Sequence, residues 1–241
     1  MSNSVRALAS VLAPGLALLA LGACQPEADA PPAAAAHALY DAETFFNTTS
    51  LSMPSGAGYA FSLDDAQLLL ATDASGVFNA AALPAAGGAP APLTQSAANA
   101  TFAVSYFPAD GRVLVSADNG GDELSHVFLR SEDGALVDLT PGDKVKAAFL
   151  DWSDDGKTFW ITTNERDPQS FDVYAYSVDD LSRKRVFEND GYFVSAITGD
   201  GRRLALTKEI SSAKSEVYLA DLTKPRAAPV RPQRDFHPRR R

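Results

Sequence analysis

Apolar residues along this chain fall into short runs that alternate with polar turns, and the turns recur at a constant interval. Asp110-Gly111, Asp155-Gly156 and Asp200-Gly201 stand 45 residues apart, and a degenerate copy, Asp65-Ala66, lies 45 earlier. Each lies within a similar segment: FSLDDAQLLLAT, YFPADGRVLVSA, DWSDDGKTFWIT and AITGDGRRLALT. Asp-Gly between two apolar runs signals a β-hairpin, because the turn needs positive φ and glycine adopts it without steric penalty. A third strand is expected at Val77-Phe78, His126 to Leu129, Asp172 to Tyr176 and Glu216 to Leu219. A polar edge segment ending in Leu93-Thr94, Leu139-Thr140 or Val186-Phe187 closes the unit. Four short strands per 45 residues describe one propeller blade, whereas a β-sandwich with evenly spaced turns seldom repeats residue identities at a fixed period. The fold class expected is therefore all-β, a partial β-propeller of about four 45-residue blades. The repeat defines architecture and says nothing about substrate.

The flanks read differently. Met1 to Arg6 carries one positive charge, Ala7 to Leu21 is an apolar stretch, and Leu21-Gly22-Ala23-Cys24 follows. That order is a signal segment rather than a spanning helix, which needs about twenty apolar residues. Leu21-Gly22-Ala23-Cys24 resembles the lipobox of bacterial lipoproteins, which implies cleavage before a lipidated Cys24 and attachment by two or three acyl chains. Gln25 after the cysteine resembles the arrangement in lipoproteins sent to the outer membrane. The organisation expected is a signal peptide over 1–23, a disordered Pro/Ala tether over 24–38, blades over 39–223 and a basic Pro/Arg-rich tail over 224–241. The tail has no strand periodicity; it reads as a disordered end, and it could also fold back on the acidic body.

Charge and cysteine usage narrow the chemistry. Between Gln25 and Thr223 there are 13 basic and 29 acidic residues, a net −16, so the body repels nucleic acid. Cys24 is the only cysteine, which excludes an intramolecular disulfide, and His37, His126 and His237 are far apart in sequence, which disfavours a zinc site. No metal and no cofactor are expected. The pairs Asp64-Asp65, Asp154-Asp155 and Asp179-Asp180 invite an acid/base or calcium reading, but they recur at blade turns, where aspartate bonds its own backbone. Trp152 and Trp160 are expected in the core between blades.

Several segments, taken in order, resemble the N-terminal propeller of the prolyl oligopeptidase family of serine peptidases in its bacterial secreted branch. They include Ala42-Glu43-Thr44-Phe45-Phe46, the run Thr72 to Asn79, Ser116 to Glu123, Thr163-Asn164-Glu165-Arg166-Asp167-Pro168 followed by Phe171 to Tyr174, and Phe187 to Gly191. The resemblance implies a module that restricts access to a hydrolase active site carried by a following α/β-hydrolase domain. No Gly-x-Ser-x-Gly occurs in the chain, so no catalytic residue is assigned. The chain reads as a non-catalytic, truncated propeller portion, inactive alone; the alternative is a stand-alone module similar to TolB-type periplasmic propellers that dock proteins. Asn164, Glu165, Arg166 and Asp167 form the most polar loop within the resemblance and are the candidate contact with peptide substrate, hydrolase domain or protein partner. The expected location is a membrane, through Cys24, facing the periplasm.

Overall fold

The computed structural model describes residues 40–54, 58–224 and 228–231. The signal segment, Cys24, the tether and residues 232–241 lie outside them. A first unit ends at Phe46 and contains α1 (Ala42–Phe46), whose first turn is closed by Asp41 Oδ1 accepting the Thr44 N–H at 2.8 Å. No helix among the described residues is long and apolar enough to cross a membrane.

The second unit, from Asn47 onward, is four successive antiparallel sheets. Blade 1 comprises β1 (Leu51–Ser52), β2 (Gln67–Thr72), β3 (Asn79–Pro84) and β4 (Ala91–Pro92). Blade 2 comprises β5 (Thr101–Tyr106), β6 (Val113–Ala117), β7 (His126–Arg130) and β8 (Leu136–Asp138). Blade 3 comprises β9 (Ala147–Trp152), β10 (Thr158–Asp167), β11 (Ser170–Ser177) and β12 (Arg183–Phe187). Blade 4 comprises β13 (Phe193–Ile197), β14 (Arg203–Ser211) and β15 (Lys214–Asp221). Within each sheet the strands pair in chain order.

The composition of each strand follows from what its two faces meet. In blades 1 to 3 the second strand is largely buried, so it reads as a continuous apolar run such as QLLLAT or VLVSA, whereas β14 of blade 4 alternates buried Leu204 and Leu206 with partly exposed residues. Fourth strands are short, AP in β4 and LVD in β8, and the longer β12 carries Arg183, Lys184 and Arg185, which blunts edge pairing. Three hydrophobic clusters of described residues fill the three successive junctions. Leu69, Ala71, Val113 and Val115 join blades 1 and 2; Leu114, Val127, Trp152, Phe159 and Tyr176 join 2 and 3; Trp160, Val173, Leu204 and Leu206 join 3 and 4. Both tryptophans thus lie between blades as expected. Trp152 also donates its Nε1–H to the buried Ser105 Oγ at 2.8 Å, satisfying the indole inside the core.

The repeat persists in its irregularities. A β-bulge interrupts the first strand of blades 2, 3 and 4 at matching places, beside Val104, Leu150 and Ser195. In blade 1 that strand is split: β1 pairs with one end of β2, and Phe61 bridges Leu68 at the other.

Four expectations need correction in detail. The turn glycines Gly156 and Gly201 have φ of 67° and 68°, but in blade 1 the left-handed position is taken by Asp65 (φ 57°), so that turn is displaced by one residue from the 45-residue register. Gly111 does not take positive φ; the Phe107 N–H closes its turn on the Arg112 carbonyl as Ser153 does on Thr158, which places Gly111 one residue past the left-handed position, and its N–H is held by Glu132 Oε1 at 2.9 Å. The third strand of blade 1 begins at Asn79, after Val77-Phe78, because Asp73 to Phe78 form the preceding turn. The tail begins with structure: Val230 exchanges two backbone hydrogen bonds with Leu219 at 2.8 and 2.9 Å, at the fourth-strand position of blade 4, and Arg231 pairs with Glu216.

Candidate functional site

Asn164, Glu165, Arg166 and Asp167 are not a loop but the end of β10, which runs to Asp167 and turns tightly into β11. Their side chains engage neighbours in blade 3. Arg166 makes a bidentate pair with Asp172, Nε to Oδ2 at 2.7 Å and Nη2 to Oδ1 at 2.9 Å, and Nη2 also reaches the Asn189 carbonyl at 2.9 Å. Asp172 is 0% exposed; it further accepts the Asn189 N–H at 2.9 Å and lies 3.3 Å from Arg185 Nη1. Burial pushes the Asp172 carboxyl upward, but the bonds from Arg166 and the Asn189 N–H, with the charges of Arg166 and Arg185, outweigh it and hold the group below the ordinary carboxylate value. The same bidentate bond drives the Arg166 guanidinium upward. Fork-to-fork geometry of this kind is the strongest form of side-chain ion pairing.

Glu165 reaches Arg183 at 2.7 Å, and Arg183 also donates to the buried Tyr176 hydroxyl at 3.3 Å. Asn164 accepts the Lys146 N–H through Oδ1 at 2.7 Å, tying β10 to the start of β9. Asp167 accepts the Gln169 N–H at 2.9 Å and shapes the hairpin turn. The four residues therefore brace the β10–β11 hairpin, and the part left to meet a partner is its rim, where Glu165, Arg166 and Arg183 keep partial exposure.

A second polar cluster was missed in sequence. His126 Nδ1 lies 2.7 Å from Asp138 Oδ2, and the imidazole stacks on Phe128. The pair opens on a cavity of about 520 Å³ that is also lined by Ser96, Asn99, Asp118 and Asp122. A serine, a histidine and an aspartate thus share one cavity, yet Ser96 Oγ accepts the Asn99 N–H at 3.0 Å, and no hydrogen bond joins it to His126. The nucleophile-to-base bond that acyl transfer requires is absent. Among the described residues no cluster of His, Cys, Asp and Glu is arranged to hold a metal ion.

Strand register shows what the two clusters have in common. Asn79 stands opposite Thr72, His126 opposite Ala117, Asp172 opposite Thr163 and Glu216 opposite Lys208, which is the same position in each blade. Each then ties down the segment that follows. Asn79 Oδ1 accepts the Ser96 N–H at 2.7 Å, His126 meets Asp138, Asp172 accepts the Asn189 N–H, and Glu216 meets Arg231. The aspartate pairs at the turns are likewise internal. Asp64 accepts from Ser62 Oγ at 2.7 Å, Asp155 from Ser153 Oγ at 2.7 Å and Asp180 from Ser182 Oγ at 2.7 Å, and these hydroxyl bonds hold all three carboxyls below their ordinary value.

No protein-family model matches the sequence, and no curated protein matches it. Solved structures do match. TolB from Acinetobacter baumannii aligns with 76% of this chain at 19% identity and TM-score 0.51, over 44% of its own length. A prolyl endopeptidase aligns with 76% at 16% identity and TM-score 0.53, over 27% of its length. An oligogalacturonate lyase from Vibrio parahaemolyticus aligns with 72% at 12% identity and TM-score 0.52, over 51% of its length. The chain therefore spans no more than about half the length of these three structures. What they share with it is the fold, a β-propeller of antiparallel blades.

Proposed function

We propose that this chain is the non-catalytic propeller portion of a prolyl-oligopeptidase-like serine peptidase, exported and anchored through Cys24, that screens peptides rather than cleaving them. The observation that carries this reading is the assignment of its polar residues. In the one cavity of the described blades where a serine, a histidine and an aspartate meet, the histidine and the serine are engaged in bracing instead, His126 on Asp138 and Ser96 on the Asn99 N–H. The ordered motifs from Thr72 to Gly191 and the absence of Gly-x-Ser-x-Gly in the sequence support it. In this reading the partly exposed rim of the β10–β11 hairpin, Glu165 and Arg166 with Arg183, is the contact for peptide or for a hydrolase domain.

The test is a hydrolysis assay of the purified chain on proline-containing peptides and simple esters, with labelling by a serine-directed fluorophosphonate. No turnover and no labelling are expected. Turnover that follows the chain through purification and disappears in Ser96→Ala or His126→Ala would overturn the reading. A second reading, a stand-alone docking propeller in the manner of TolB, is favoured by the equal depth of likeness to the TolB structure. It predicts a monomer that unfolds cooperatively and captures a protein partner with no hydrolase attached.

A further inference from the structure

The two outward faces of the blade array carry the residues that its interior junctions bury. The end of the first strand occupies one position in every blade: Tyr106 opposite Val113, Trp152 opposite Phe159, Ile197 opposite Leu204 and Phe61 opposite Leu68. The first three are buried against the preceding blade, whereas Phe61 of blade 1 is 51% exposed. At the other end, Val173 and Ala175 of β11 correspond by register to Val217 and Leu219 of β15. Val173 is fully buried between blades 3 and 4, but Val217 is 54% and Leu219 42% exposed. Phe193, in the same cross-strand row as Thr207 and Val217, is 73% exposed and borders a hollow of about 650 Å³ on that face.

A repeat array makes its own ends complementary. The outward face of blade 4 is the kind that blades 1 to 3 turn toward their successors, and the outward face of blade 1 is the kind that blades 2 to 4 turn toward their predecessors. Charge agrees with shape. In the interior, hairpin turns of adjacent blades lie side by side, Asp154 donating its N–H to the Gly199 carbonyl at 2.9 Å. The corresponding turn carries Asp64 and Asp65 on blade 1; on blade 4 Asp200 matches Asp64, but Arg202 and Arg203 follow it where blade 1 has the uncharged Ala66 and Gln67, so the blade 4 turn alone carries exposed arginines. Arg112, which immediately precedes β6, crosses to the Val178 carbonyl of the next blade at 3.0 Å; Arg203 holds the matching place in blade 4 and is exposed.

We propose that blade 4 of one copy of this chain packs on blade 1 of a second copy, head to tail, continuing the blade-to-blade junction between molecules. A contact between unlike faces either closes into a ring or extends into a chain. The inference goes beyond the functional reading above and stands or falls separately from it.

The test is sedimentation of the full-length chain in mild detergent, with three variants at exposed positions: Phe61→Asp, Val217→Asp and Phe193→Asp. The unaltered chain is expected to run at twice the single-chain mass or more, and each variant alone as a monomer with unchanged circular dichroism. Phe61→Asp keeps a sound blade 4 face and Val217→Asp a sound blade 1 face. An equimolar mixture of the two must therefore recover a dimer, as must Phe61→Asp with Phe193→Asp. An unaltered chain that stays monomeric overturns the proposal, and so do mixtures that stay monomeric, since that outcome assigns any self-association to like faces. The peptide hydrolysis assay is insensitive to all of these outcomes.

Discussion

Asp172 offers the sharpest test of how the polar positions work. Its carboxylate is fully buried and takes two bonds from Arg166 and one from the Asn189 N–H. Breaking a buried pair by deleting one partner typically costs about 3–5 kcal/mol, because the other is left without compensation. Arg166 is 31% exposed and can turn its guanidinium to water, so Asp172→Ala is placed at the lower end, about 3 kcal/mol. For a chain of this size that is a fall in Tm of roughly 6–12 °C. Arg166→Ala strands the buried carboxylate instead, with Arg185 at 3.3 Å and the Asn189 N–H left to support it, so it is expected to cost at least as much. Denaturant unfolding of both single variants and the double variant reads the coupling directly, and more than about 1 kcal/mol is expected. The pH dependence has a definite sign. Asp172 is held below its ordinary value in the folded chain, so its contribution is complete above about pH 4 and is lost as pH falls through the folded-state value. The gap in stability between the unaltered chain and Asp172→Asn must therefore narrow in acid. Costs under about 1 kcal/mol for both single variants, or a gap that widens below pH 4, would refute the reasoning.

Two further substitutions test the turns and the core by unfolding midpoint. Gly201 has φ 68°, and a Cβ there would lie 2.8 Å from Trp160 Cζ2, so Gly201→Ala is expected to cost about 1–3 kcal/mol; Gly111, with ordinary φ and only the flexible Glu132 side chain nearby, should lose less to alanine. Thr163 Oγ1 is buried with no hydrogen-bond partner, so Thr163→Val, which keeps the shape and removes the orphaned hydroxyl, is expected to leave stability unchanged or raise it by about 1 kcal/mol; a loss beyond that would mean the hydroxyl is satisfied.

The blade repeat was legible because hairpins write themselves into sequence locally: an Asp-Gly turn flanked by two apolar runs needs no distant information. What misled was the assumption that equal spacing means equal register. Asp65 can enter the left-handed region itself, since a short polar side chain tolerates it, and so the first turn slips by one residue. Blade 2 has the same spacing as blade 1, its turn closed from Phe107 to Arg112 as the first is from Ser62 to Gln67, so Gly111 falls one residue past the left-handed position and its N–H turns to Glu132. The pairing of Val230 with Leu219 was illegible because a strand of one paired residue has no alternation to read. The polar segment Asn164 to Asp167 was visible as polar, but its meaning depended on Asp172 and Asn189, which register and folding bring to it.

The position shared by Asn79, His126, Asp172 and Glu216 shows why residue type is a poor guide to role in a repeat. The geometry there demands one thing, a side chain at the start of the third strand that can hold the segment returning along the blade's edge. An amide does it by bonding a backbone N–H and carbonyl, an imidazole by meeting a carboxylate, one carboxylate by accepting the Asn189 N–H and another by meeting Arg231. Seen alone, His126 on Asp138 beside a serine-lined cavity invites a catalytic interpretation. Its three counterparts occupy the same register and perform the same bracing with chemistries that share no reactivity, so the constraint they have in common is mechanical. Association, by the same reasoning, is better sought where the repeat is broken, at the exposed Phe61 of blade 1 and Val217 of blade 4, than where it is kept.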